Sequence, residues 1–138
     1  TDVIQMLNGC IGGLVAITAE PLMPSPLSAI LIGGVGGVIV VFGTKLLFSM
    51  KIDDVVGAVP AHLFAGIWGT LAVPITNPDT SFSAQLIGVV SVNAFVFVVA
   101  YIAWTIMKAT IGIRLSKEGE TKGTDVTETG VIAYAIRD

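Results

Sequence analysis

His62 is the single histidine of the chain, and the residues around it, 55–78, include no Asp, Glu, Lys or Arg. Imidazole moves between its charged and neutral forms near neutral pH more readily than other side chains. In an apolar segment such a group is costly unless it faces a cavity or a partner. Two readings follow: a relay group on a conduction path, or an imidazole hydrogen-bonded between packed helices. Asp53 and Asp54 stand at the start of the same segment, and Pro60 lies two residues before the histidine. Carboxylates at a helix start complement the helix dipole and can cap free amide groups. Proline lacks the backbone donor and clashes with the preceding turn, so it predicts a kink or break over residues 56–60. The carbonyl it frees must find a partner or line a cavity. Trp68, in the run Gly66-Ile-Trp-Gly69, reads as packing.

The segment that holds these groups is long enough to cross a hydrocarbon core about 30 Å thick at about 1.5 Å of rise per residue. It is not alone. Uncharged runs also cover 3–19, 21–44 and 80–107. Charged residues are 12% of the 138 and apolar residues 54%, with a mean hydropathy of +0.89. Soluble domains carry roughly 25% charged residues, so the composition points to a membrane protein. The first run has no basic flank before it and does not read as a signal peptide. Five of the ten acidic residues follow position 115, so the net charge of −3 reports mostly the tail. No basic patch interleaved with aromatics is present, which argues against nucleic acid as a partner. Cys10, the single cysteine, allows no internal disulfide and no metal cluster. No cofactor, metal or enzymatic chemistry is implied.

Four spans are expected, at about 2–19, 26–48, 55–75 and 84–110, within a membrane region 1–113, followed by a polar tail at 114–138. Pro21, Pro24 and Pro26 end one helix and begin the next. The break after the third span holds Asn77 and Pro78, with Pro74 just before it, and these are turn residues. Lys45 and Lys51 flank the second break, and Lys108, Arg114, Lys117 and Lys122 follow the last span, whereas the first and third breaks hold neither Lys nor Arg. The positive-inside rule then puts the second break and the tail in the cytoplasm. Gly9 with Gly13 and Gly33 with Gly37 have the spacing that lets helix backbones approach closely in lipid. The GGVGG at 33–37 lacks the Lys-Ser/Thr ending of a phosphate loop. Phe82, Phe95, Phe97, Tyr101 and Trp104 spread around the last span and read as lipid-facing or packing residues, and Ser91 and Asn93 as groups able to hydrogen-bond across helices. Residues 116–130 are too polar to form a core of their own, with Gly123 and Gly130 as turns.

The run Ile52-Asp-Asp-Val-Val-Gly-Ala-Val-Pro-Ala-His62-Leu-Phe-Ala-Gly-Ile-Trp-Gly-Thr70 resembles the penultimate membrane helix of the ammonium transporter family (Amt/Mep/Rh). Asn8-Gly-x-x-Gly12-Gly13-Leu-Val-Ala-Ile-Thr18-Ala resembles an earlier span of that family, and Ser25-Pro26 with 33–37 the next. The tail from Lys122-Gly123 through Asp125 to Gly130, Ala133 and Tyr134 resembles its cytoplasmic ending. The chain departs from the pattern at Val55, Pro60, Leu63, Thr129 and Val131; the last two stand where the family tail has His and Glu.

The resemblance implies an all-α, polytopic membrane helix bundle: the last four of about eleven transporter spans plus the tail. It implies ammonium or ammonia as substrate, lipid contact, a homotrimer of the full-length protein, the cell (inner or plasma) membrane as location, and a regulator of the P-II type at the tail. By residue match, His62 takes the place of the second of two pore histidines, and Asp54 that of the acidic residue supporting the pore at the cytoplasmic helix start. The other histidine lies upstream of the matched region. Two other readings stay open: a small stand-alone four-helix membrane protein with a structural or proton-conducting role, and an interaction module working through its tail.

Overall fold

The structure is a computed structural model and describes residues 3–131. It is helical, with no strand among the described residues. α1 runs Val3–Ile17, α2 Pro26–Ser49, α3 Ala65–Thr76, α4 Phe82–Thr110 and α5 Lys117–Lys122. Two π-helical turns, Val59–Phe64 and Asp125–Thr129, complete the order, the first running directly into α3. Among the described residues three helices are long and apolar enough to cross a membrane: Pro26–Ser49, Val59–Thr76 and Phe82–Thr110. α1, also apolar, has 15 residues. Its expected first residue, Asp2, lies outside the described residues, as do Ala133 and Tyr134 of the tail.

The chain divides into two compact units, Thr1–Ala94 and Phe95–Asp138. In the first, α1 and α2 run antiparallel with their backbones in close approach. A Cβ on Gly13 would lie 3.1 Å from the Gly33 carbonyl oxygen, and one on Gly37 3.1 Å from that of Gly9. Gly36 is tighter still, because its Cβ would stand 2.7 Å from the Ala16 Cβ and 2.8 Å from the Gly12 oxygen. Only hydrogen fits there, which is the packing that small residues permit in lipid. α2 begins on Ser25, whose hydroxyl accepts from the Ser28 amide at 3.2 Å, with Pro26 in the first turn where its missing donor costs nothing.

α3 lies along both helices. Ala16, Ile32 and Ala72 form one buried cluster, against which Trp68 packs, and the Trp68 indole also donates to the Ile32 carbonyl at 3.0 Å. Val40, Ala61 and Ala65 form a second. Two side-chain bonds tie α1 to the ends of the third span: Asn8 to the Val56 carbonyl at 2.7 Å and Asn77 to Glu20 at 2.9 Å. With one bond at each end, α1 and the third span run in the same direction.

The structure differs from the sequence reading in two prolines. The third span begins at Val59 rather than Val55, and Pro60 sits in its first turn instead of kinking a helix already under way. The first turn is where a missing N–H is least missed. Pro74 is a helical residue within α3, not part of the turn that follows. There it forgoes the bond to the carbonyl four residues back and crowds that turn.

In the second unit α4 completes its course with none of its residues buried, from Phe82 to Thr110. Phe97 and Tyr101 stack one turn apart, centroids 6.4 Å from each other. In the tail, Ser116 caps α5 by accepting from the Gly119 amide at 3.1 Å, and Lys122 pairs with Glu118 at 2.7 Å. Gly123 and Gly130 both take positive φ, 101° and 68°, and end their helical turns. Gly119 is the one buried residue among 111–131, so this segment is helical through local bonds and not through an apolar core.

Candidate functional site

The turn that carries His62 is built from its neighbours. Pro60, Ala61 and Ala65 are buried against α1 and α2, while His62 and Leu63 are exposed on the other side. In the wider π-helical turn the Ala65 amide approaches both the His62 and Pro60 carbonyls. Such turns are uncommon, and they occur often at functional sites. Here the turn sits where the chain enters the third span.

Two side chains hold that entrance. Asp54 accepts from the Ala58 amide at 2.9 Å and from the Val59 amide at 2.8 Å, one carboxylate oxygen to each. Its charge also stands at the positive end of the helix dipole. Asp53 is exposed and makes no such bond among the described residues. On the carbonyl side, Asn8 of α1 donates to Val56. Gly57 between them has φ of 71°, and the Asn8 amide occupies the space a Cβ would need there. A side chain at position 57 would be strained by the backbone and would displace Asn8.

His62 faces a cleft of about 390 Å³, whose lining includes Gly66 and Thr70 from α3 and Gly88, Val92 and Asn93 from α4. The imidazole has no hydrogen-bond partner among the described residues. Asn93 spends its amide nitrogen on the Val89 carbonyl at 2.8 Å, which leaves its carboxamide oxygen as an acceptor in the cleft. The cleft is thus mostly apolar, with an imidazole, a hydroxyl and an amide oxygen as its polar groups. It can desolvate a small solute and offer it one titratable nitrogen and a few acceptors. Among the described residues no group of three or more His, Cys, Asp or Glu could hold a metal ion.

The sequence singled out His62 and Asp54, and they lie eight residues apart on one structural unit, the first in the cleft and the second at the turn's amide end. Asn8 was noticed only as part of a pattern; its link to Val56 is missed by reading along the chain. Thr70 and Asn93 had no signal of their own in the cleft.

In the tail, Arg114 meets Glu120 at 2.6 Å. The hydrogen bond and charge of Arg114 hold the Glu120 carboxyl below its ordinary range, and Glu120 in turn raises the Arg114 guanidinium. A carboxyl whose pKa is lowered by folding stabilises above its unfolded value, and that contribution fades as pH falls through the folded one. Both groups are solvent-exposed, so the effect is small.

Comparison with known proteins agrees with the run of residues around His62. The sequence profile of the Ammonium Transporter Family matches residues 1–134. A provisionally named ammonium transporter of Synechocystis sp. is 40% identical over 94% of this chain and 30% of its own length. Ammonium transporter Amt2 of Archaeoglobus fulgidus is 35% identical over 96% of the chain and 33% of its own length, and Amt2 of Methanocaldococcus jannaschii 33% identical over 96% and 34%. The chain therefore spans about a third of the length of the relatives it matches. With nearly every residue inside the matched region, and the helix pattern expected of a membrane bundle, this chain belongs to the ammonium transporter family.

Proposed function

We propose that the chain is the C-terminal part of an ammonium or ammonia transporter of the cell membrane, and that His62 lines its conduction path. The observation that carries this reading is an imidazole without a protein partner, presented by a π-helical turn to a cleft of about 390 Å³ between apolar walls. A structural histidine would be buried between packed helices, whereas His62 is exposed toward the cleft.

The chemistry suits the solute. An ammonium ion entering a dry apolar passage loses several kcal/mol of hydration. Leaving its proton outside the narrow part removes that cost, and neutral ammonia can then accept from or donate to an imidazole. Potassium has no proton to leave and stays excluded. A neutral imidazole, one nitrogen a donor and the other an acceptor, can pass such a solute or a proton along. Asp54 supports the path from the turn's entrance, by fixing the amides that precede the histidine.

The tail from 114 to 138 is cytoplasmic in this reading, because Lys108, Arg114 and Lys117 gather at the end of α4. The complete protein is a homotrimer, with a P-II type regulator docking at the tail. Pull-down of such a regulator with and without residues 114–138 tests the last point, and binding that survives the deletion overturns it.

The test of the main reading is His62→Ala in a complete transporter that carries these residues. Methylammonium uptake is expected to fall, or its selectivity over potassium to change, while the protein still inserts and assembles. Unchanged uptake and selectivity in a well-expressed variant would reduce His62 to a packing residue.

A further inference from the structure

Val56 lies just before the π-helical turn, and no backbone amide among the described residues donates to its carbonyl. An acceptor thus stands at the mouth of the span that carries His62. The Val56 carbonyl does have a partner. Asn8, 48 residues earlier and on a different helix, donates to it at 2.7 Å. Because a carbonyl can only accept, the carboxamide nitrogen is fixed toward Val56 and the side chain's orientation is determined.

Three further observations make this a built arrangement. Gly57, next to Val56, lacks the Cβ that would occupy the position of the Asn8 amide, and its φ of 71° turns the Val56 carbonyl out of the helical path. Asp54 serves the opposite need in the same turn, accepting from Ala58 and Val59. Pro60 and Ala61 are buried immediately beyond, so the turn's position is transmitted to His62 through packed backbone rather than through a flexible side chain.

We propose that Asn8 is a positioning residue for His62: it supplies the donor that no backbone amide gives the Val56 carbonyl, and thereby fixes the π-helical turn that aims the imidazole into the cleft. This rests on the reading of His62 as a conduction residue. The role is specific in kind, because what is missing is one N–H at one carbonyl. Asn8→Asp removes that N–H and keeps the shape of the side chain.

The experiment compares Asn8→Asp and Asn8→Ala, each with and without His62→Ala, in a complete transporter carrying these residues. Asn8→Asp keeps the side chain's shape and loses its donor, so both Asn8 variants are expected to lower the maximal rate of methylammonium uptake about fivefold, the effect of losing one hydrogen bond, with little change in the half-saturating concentration. Added to His62→Ala, either is expected to lower uptake less than it does alone, a coupling that independent sites do not show. No loss from either Asn8 variant, or an equal loss with and without His62, overturns the proposal. Failure of both variants to accumulate as folded protein overturns it as well, since Asn8 would then serve the fold and not the aim of the imidazole. An effect of His62→Ala together with none of Asn8→Ala rejects Asn8 alone; no effect of His62→Ala rejects the reading on which it stands.

Discussion

Asp54 and His62 illustrate how differently single residues declare themselves. A lone imidazole in an uncharged run is conspicuous because its chemistry is out of keeping with its surroundings, and no tertiary information is needed to notice it. Asp54 is legible as a cap because capping is local: its two acceptor bonds reach only four and five residues along the chain. Asn8 is not legible in this way, since its partner is a backbone carbonyl that only folding brings near. The local bonds of Asp54 give a prediction that stands apart from transport. Replacing Asp54 by Ala leaves the Ala58 and Val59 amides without their acceptors and is expected to destabilise the protein by about 1 kcal/mol, within the range for loss of a helix N-cap. Asp54→Asn keeps one acceptor oxygen and loses the charge at the dipole's positive end, so it is expected to cost less. Unfolding in mixed micelles, followed by loss of helical circular dichroism, orders the two variants. Equal stability of Asp54→Ala and the parent would show that water or another group serves those amides equally well.

At the scale of elements, hydropathy located the long helices to within a few residues at most ends, because an uncharged run and a spanning helix have the same physical cause. Their internal features were harder. Pro60 was expected to break a helix and instead begins one; Pro74 was expected in a turn and lies inside α3. Both outcomes depend on where the neighbouring turn ends; at Pro60 that turn carries the Asp54 bonds to Ala58 and Val59. Small-residue spacing likewise announced close packing, through Gly9 with Gly13 and Gly33 with Gly37, but not which glycines meet most tightly. Gly36 with Gly12 does, because Gly36 faces Gly12 and Ala16 of α1 across the contact. Gly34, on the same helix, has open space where its Cβ would be. Gly36→Ala is therefore expected to force the backbones apart and destabilise by roughly 1–3 kcal/mol, as overpacking does. Gly34→Ala is expected to be neutral or stabilising by up to about 1 kcal/mol through helix propensity. The same unfolding measurement compares them, and the reverse order would mean that α1 and α2 do not meet through this face.

For the whole molecule, the decisive feature is the quantity of apolar surface with nothing against it. α4 has 29 residues and buries none, and Leu86, Ile87, Val90 and Val92 are exposed on the part that shares the His62 cleft. Lipid accounts for some of this surface, since apolar side chains are at home in it. On the proposed reading of His62 it cannot account for the cleft itself, because a passage for a polar solute must be walled from lipid all round, with its polar groups facing inward. The polar groups present, His62 and Thr70 from the third span and Asn93 from α4, line a cleft that stands open. The relatives, of which this chain matches about a third, carry the further length from which other walls could be drawn. The 138-residue chain alone is therefore expected to insert in a membrane but not to conduct. Methylammonium accumulation by cells lacking their own transporters should not exceed that of cells carrying an empty vector, at protein levels where a complete relative gives clear uptake. Uptake above that background by this chain, abolished by His62→Ala, would mean that copies of the chain close the passage among themselves, and the cleft would then have to be completed by a second copy of α3 or α4.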